Sequence, residues 1–200
     1  MFNLNIFYFC FGTLFSLTIL YKGIKILNRY FLDQPNQRSL HNTPIPRGGG
    51  LCFIIPVMFF DFFNVLFYGF SNRFPLSLLC IPLIIICLLD DLLKVPSIYR
   101  YIVQALSTLL ILRFSPFEMF YTFSFNSVFI LTMLIIVITG CINFTNFMDG
   151  SDGLVSGCMF ILFWTLNLKL NHFTSLSVLL GSLFAFLLWN WPPAKVFMGD

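Results

Sequence analysis

Apolar residues run along this chain in long stretches separated by short polar or Pro/Gly-rich breaks. A membrane-spanning helix needs about 20 mainly apolar residues, or about 17 at the short end. Seven stretches approach that length, at roughly residues 4–21, 51–70, 74–89, 99–114, 123–141, 153–169 and 172–190. The first has the length and position of a signal peptide. No basic residue precedes it and no small-residue cleavage site ends it, so it is expected to remain as a helix. The fourth is diluted by Gln104, Ser107 and Thr108 and stops at Arg113. No internal repeat is visible. The pattern predicts an all-α, polytopic integral membrane helical bundle of about seven transmembrane helices, one domain over residues 1–200.

If the chain crosses at every helix, the links after helices one, three, five and seven share a side. These links are 22–50, 90–98, 142–153 and 191–200. On or beside them lie Lys22, Lys25, Arg29, Arg38, Arg47, Lys94, Arg100 and Lys195, leaving Arg73, Arg113 and Lys169 opposite. The excess of basic residues makes that side the cytoplasm. It also collects Asp33, Asp90, Asp91, Asp149, Asp152 and Asp200, with His41 and the three glycines Gly48 to Gly50. Every segment with chemical potential therefore faces one compartment, and a miscounted helix would have split them.

Composition sharpens this picture. The chain is 58% hydrophobic and 10% charged, with a mean hydropathy of +0.91, whereas a soluble domain carries about 25% charge. Its 28 Phe read as lipid-facing filler. A net charge of +3 spread over scattered residues excludes nucleic-acid binding, which needs a basic stripe on one face. Cys10, Cys52, Cys80, Cys87, Cys141 and Cys158 lie mostly inside apolar runs without metal-ligand spacing, and read as small core hydrophobes.

Four segments could carry chemistry. Asp90 and Asp91 end an apolar run in LLDDLLKVP. Repulsion and partial desolvation make such a pair costly at a membrane boundary unless a cation or Lys94 sits close; alone, it also fits a helix-end charge cluster with an Asp–Lys pair. In INFTNFMDGSDGL, the residues Asn143, Asn146, Asp149 and Asp152 recur every third position. On a helix they would stack along one stripe; if Gly150 and Gly153 break the helix they would form a turn with exposed amides. Either arrangement suits a ribose, an amide or a phosphate-bound Mg²⁺. NWPPAKVFMGD, directly preceded by Trp189, places Trp189 and Trp191 as interfacial anchors, a helix stop at Pro192-Pro193, and Asp200 after Gly199. The loop DQPNQRSLHNTPIPRGGG, from Asp33 to Gly50, can present amides and guanidinium groups to phosphates. Its GGG has neither Walker A nor dinucleotide-fingerprint spacing. Asp61 and Glu118 stand apart from these clusters and His172 reads as an interfacial histidine, so none is assigned a role.

Taken in order, DQPNQRSLHNTPIPRGGG, LLDDLLK, INFTNFMDGSDGL and PPAKVFMGD resemble the polyprenyl-phosphate N-acetylhexosamine-1-phosphate transferases, over residues 33–200. The resemblance implies catalytic roles for Asp90 and Asp91, one of them as the base that deprotonates the lipid phosphate or, alternatively, as a covalent nucleophile, and a Mg²⁺ ligand at Asp200. Asp149 and Asp152 correspond to later family acids, Asn143 and Asn146 to asparagines beside the nucleotide site, and Lys94 to a lysine near phosphate. His41 and Arg47 match the family's first loop. The related phospho-N-acetylmuramoyl-pentapeptide transferases usually read NLTDGLDGL where this chain reads NFMDGSDGL, which resembles the hexosamine branch; Ser151 replaces the usual branched aliphatic. Family members continue past MGD with further helices and a His-rich loop, so the chain is expected to be a fragment or a truncated product.

The implied reaction is attack of a lipid phosphate oxygen on the β-phosphate of a UDP-N-acetylhexosamine, forming a lipid diphosphate sugar and UMP. Between two anions the barrier is electrostatic, so Mg²⁺, with Mn²⁺ as the alternative, held by Asp200 with Asp149 or Asp152 is the expected device. The implied partners are the UDP-sugar, polyprenyl phosphate, the bilayer and, as an allowed arrangement, a second copy of the chain. The implied place is a bacterial inner membrane, multi-pass, with the active-site loops cytoplasmic. The rival readings are the muramoyl-pentapeptide branch, a transporter or channel marked by intramembrane acids, and an inactive lipid-binding truncation. The transporter is disfavoured because within the spans only Asp61 is acidic.

Overall fold

The computed structural model describes residues 2–35, 41, 43–69, 76–93, 95–114, 125–149, 151–170 and 174–199. Among these the order is α1 (Phe2–Tyr30), β1 (Leu32–Asp33), β2 (Ile45–Pro46), α2 (Leu51–Tyr68), α3 (Leu76–Leu79), α4 (Ile81–Leu93), α5 (Ser97–Arg113), α6 (Phe125–Met148), α7 (Leu154–Leu170) and α8 (Thr174–Asn190). The protein is all-α apart from one short ribbon. Each apolar stretch carries a helix among its described residues, but the third is broken by a turn at Cys80, and Pro82 then falls in the first turn of α4, where its missing N–H leaves no bond unmade.

Three helices outrun their apolar stretches. Helix α1 continues to Tyr30 because Ile24 and Leu27 still pack on the core, while Lys22, Lys25 and Arg29 point outward. Helix α6 continues to Met148, so Asn143 and Asn146 stand on its last turns rather than in a loop. Helix α4 ends at Leu93 and carries Asp90 and Asp91 in its final turn.

Two helical segments, Asn5–Tyr30 and Asn126–Met148, are long and apolar enough to cross a membrane. Leu51–Phe67, Leu154–Leu170 and Thr174–Asn190 are shorter apolar helices. At about 1.5 Å per residue the 13 residues of α4 reach about 20 Å, short of a hydrocarbon core of about 30 Å. By length and composition two crossings are supported among the described residues, and the seven expected belong to the proposal below.

Helix α8 is the centre of the packing, with α1, α2 and α7 against it. Small residues let α1 close on α8: a Cβ on Gly12 would stand 2.2 Å from Val178 O, and one on Gly181 would stand 1.9 Å from Phe9 O. Hydroxyls then bond across the gap, Thr13 Oγ1 to Gly181 O at 3.1 Å, Ser16 Oγ to Ser182 O at 3.1 Å and Ser182 Oγ to Gly12 O at 3.2 Å. The core cluster is Leu20, Cys52, Leu183, Phe186 and Val196. Of the cysteines only Cys52 is a core residue; Cys10, Cys141 and Cys158 are exposed. Phe186 is likewise fully buried rather than lipid-facing. Trp189 packs against the core, and Trp191 is exposed.

Asp61 is buried in α2, and its carboxyl group accepts from Ser77 at the start of α3 and from Ser175 at the start of α8, the latter at 2.6 Å. A buried carboxyl group needs such donors. The contact ties three helices together and gives Asp61 a structural role.

Candidate active site

The site begins with the ribbon. Strands β1 and β2 pair antiparallel, Leu32 opposite Pro46 and Asp33 opposite Ile45. The chain's last described segment lies along the other side of this loop: Phe197 N–H donates to Pro46 O at 2.8 Å, Gly49 N–H to Phe197 O at 2.9 Å and Gly50 N–H to Met198 O at 2.8 Å. The Gly48–Gly50 loop and the VFMG segment are thus held side by side. A side chain on Gly49 would collide with Phe186, since a Cβ there would lie 2.6 Å from its ring.

Both first-loop candidates sit on this platform. Arg47 Nη2 pairs with Asp33 Oδ1 at 2.9 Å. His41 Nε2 is 3.7 Å from Asp33 Oδ2, too far for a hydrogen bond, and its ring meets Phe197 edge-on at 5.1 Å.

Asp91 points at the same platform. Gly199 has φ +90°, and a Cβ on it would lie 2.8 Å from Asp91 Oδ2 and 2.9 Å from Gly48 N. Only glycine combines that backbone with that approach. A cavity of about 300 Å³ runs between α2 and α4, walled by Ile54, Leu83, Ile84, Cys87 and Leu88, with Asp91, Gly48 and Gly50 also lining it. Leu83, Ile84, Cys87, Leu88 and Asp91 share one helix face by their three- and four-residue spacing, so Asp91 stands at the helix-end of an apolar wall.

Asp90 turns elsewhere. Its Oδ2 accepts from Arg100 Nη1 of α5 at 2.7 Å, and only 10% of its side chain is exposed. One turn along α5, Gln104 Oε1 accepts from Asn143 Nδ2 of α6 at 2.7 Å; the same amide also reaches Thr139 O at 2.8 Å. Asn143 therefore joins the acid pair by way of α5. Asn146 follows one turn later, half-buried, and Asp149 comes directly after the helix with its N–H on Asn146 O at 3.2 Å.

Asp152 and Asn190 tie the DGSDG turn to the chain's end. Asp152 Oδ2 accepts the Ala194 N–H at 2.9 Å. The Asn190 Oδ1 accepts from Gly153 N at 3.0 Å and Ser156 Oγ at 2.7 Å, while its Nδ2 donates to Val196 O at 3.0 Å.

The structure thus gathers Asp91, His41, Arg47, the glycine loop and the segment leading to Asp200, links Asp90 to Asn143 through α5, and commits one oxygen of Asp152 to the backbone. Lys94 and Asp200 lie outside the described residues. Sequence reasoning missed Arg100, Gln104 and Asn190. The signal for the first two was present: Arg100, Gln104, Ser107 and Thr108 recur at helical spacing in an oily chain, and the last three are buried.

Among the described residues no three His, Cys, Asp or Glu side chains converge as a metal site. The expected ligands among them, Asp149 and Asp152, carry only oxygen donors, the chemistry of a hard divalent cation rather than of a softer metal.

Residues 74–200 match the model for glycosyl transferase family 4. The chain is 32% identical over 174 residues to undecaprenyl-phosphate alpha-N-acetylglucosaminyl 1-phosphate transferase of Thermotoga maritima, covering 85% of this chain and 51% of that protein. It is 28% identical over 186 residues to the probable undecaprenyl-phosphate N-acetylglucosaminyl 1-phosphate transferase of Bacillus subtilis, covering 84% and 50%. It is 26% identical over 212 residues to phospho-N-acetylmuramoyl-pentapeptide-transferase of Dictyoglomus thermophilum, covering 96% and 66%. The chain spans about half the length of the first two relatives.

Proposed function

The chain belongs to glycosyl transferase family 4, and on that premise we propose that it transfers an N-acetylhexosamine 1-phosphate from a UDP-sugar to a polyprenyl phosphate, releasing UMP, at the cytoplasmic face of a bacterial cell membrane. The observation that carries this reading is the position of Asp91, a carboxyl group at the end of an apolar cavity and against a platform of glycine backbone. A substrate with an apolar tail and an anionic head fits such a place, and a nucleotide arriving from water meets it there.

In this mechanism Asp91 takes the remaining proton from the lipid phosphate. The freed oxygen attacks the β-phosphorus of the UDP-sugar, the bond from that phosphorus to the bridging oxygen breaks, and UMP leaves with the electron pair. Arg47 and Lys94 offset phosphate charge, and Asn143 and Asn146 bind the uridine side. Asp200, with Asp149 or Asp152, would hold Mg²⁺, whose bound charge lowers the repulsion between the two anions. Asp152 keeps one oxygen on Ala194 N–H, so it would offer its other oxygen.

The seven-helix, multi-pass topology with loops 22–50, 90–98, 142–153 and 191–200 cytoplasmic belongs to this proposal. So do Mg²⁺, the hexosamine branch and a service to envelope glycans such as O-antigen, teichoic acid or capsule. The hexosamine branch rests on the sequence Asn146-Phe147-Met148-Asp149. The test is transfer of label into organic extract from UDP-N-acetylglucosamine or from UDP-N-acetylmuramoyl-pentapeptide, with undecaprenyl phosphate added. Label from the first alone is expected; label from the second alone would assign the chain to the muramoyl branch.

A further inference from the structure

Two residues of the proposed site are held from one side by a helix outside the four segments that carry the resemblance. On α5, Arg100 reaches Asp90 at 2.7 Å and Gln104 receives Asn143 at 2.7 Å. These two, with Ser107 and Thr108, form one stripe at positions i, i+4, i+7 and i+8, and the last three are buried. Polar groups buried in an apolar chain are costly unless they hold something. Within the stripe, Arg100 holds the first acid of the pair and Gln104 the first asparagine of the later motif.

Consecutive residues of an α-helix project about 100° apart. Asp90 therefore faces α5 while Asp91 faces Gly48 and Gly199. We propose that Arg100 is a positioning residue for the transfer: by pinning Asp90 to α5 it fixes the rotation of the last turn of α4 and aims Asp91 alone at the reacting phosphate. Gln104 does the corresponding service for Asn143 on α6. The inference rests on the reading of Asp91 as the group that meets the lipid phosphate, and it divides the two adjacent acids into one that reacts and one that orients. The charge-assisted bond from Arg100 Nη1 to Asp90 Oδ2 supplies this hold.

A measurement independent of turnover separates the acids. Dicyclohexylcarbodiimide, an apolar carboxyl reagent, is applied to the complete gene product in detergent and the modified peptides are read by mass spectrometry. Arg100→Gln is expected to raise the labelling rate of Asp90 about tenfold and to leave that of Asp91 within about twofold. Kinetics then test positioning. Arg100→Gln is expected to lower kcat by about 10- to 100-fold with KM for the UDP-sugar within about threefold. Arg100→Lys should restore most of that loss, and Asp90→Asn combined with Arg100→Gln should be no worse than either alone. Labelling of Asp90 that is unchanged in Arg100→Gln would overturn the proposal, as would losses that multiply in the double variant. A parent that protects Asp90 yet releases no UMP would support the hold of Arg100 and contradict the transferase reading, so the two failures are distinguishable.

Discussion

Asp152 Oδ2 accepts the backbone N–H of Ala194 at 2.9 Å, joining the DGSDG turn to the segment that leads into MGD. Asn190 reinforces the same junction from inside, with its carbonyl oxygen on Gly153 N and Ser156 Oγ and its amide on Val196 O. Two motifs far apart in sequence thereby become one unit.

Asn190→Ala removes all three of these bonds and leaves the Val196 carbonyl and Ser156 hydroxyl buried without them. The expected cost is about 2–4 kcal/mol, read as a lowered thermal unfolding midpoint in detergent. An unchanged midpoint would show that the junction is held by something else.

Gly199→Ala places a methyl group 2.8 Å from Asp91 Oδ2 on a backbone at φ +90°. Asp91 or the chain end must move, and displacement of about 1 Å at a reacting group costs about 100-fold in rate. The expected result is that loss in UMP release with helical content by circular dichroism unchanged.

The α1–α8 crossing depends on absent side chains. Gly181→Val would drive carbon into Phe9 O, which already lies 1.9 Å from where a Cβ would stand. The helices must separate, and a loss above about 3 kcal/mol is expected, with little monodisperse protein recovered. Gly23→Ala is the control: nothing lies within 4 Å of its would-be Cβ, and it should stabilise α1 by up to about 1 kcal/mol, seen as a raised midpoint.

The helices were legible because long apolar stretches leave few alternatives, and each of the seven carries a helix among its described residues. Their ends were less so. Lys22 to Tyr30 looks like a polar link, yet Ile24 and Leu27 dock on a core that the local pattern does not reveal. Asn143 and Asn146 were recognisable as functional candidates, but their place on a helix followed from packing against α5. Asp90 and Asp91 read as an equivalent pair because adjacency conveys no direction; the helix turn and Arg100 separate them. Asn190 resembled a helix-end residue, and only the return of the chain past Pro192 gives its side chain three partners.

The central claim is that Asp91 serves a metal-dependent transfer onto a lipid phosphate. Its most direct test is UMP release from UDP-N-acetylglucosamine by membranes containing the complete gene product, with polyprenyl phosphate and Mg²⁺, for the parent and for Asp91→Asn. The account predicts release by the parent that stops on addition of EDTA or omission of the lipid, and falls by about 10³-fold or more in Asp91→Asn with unchanged membrane insertion. Turnover at the parent rate in Asp91→Asn, or release that ignores the lipid, would contradict it.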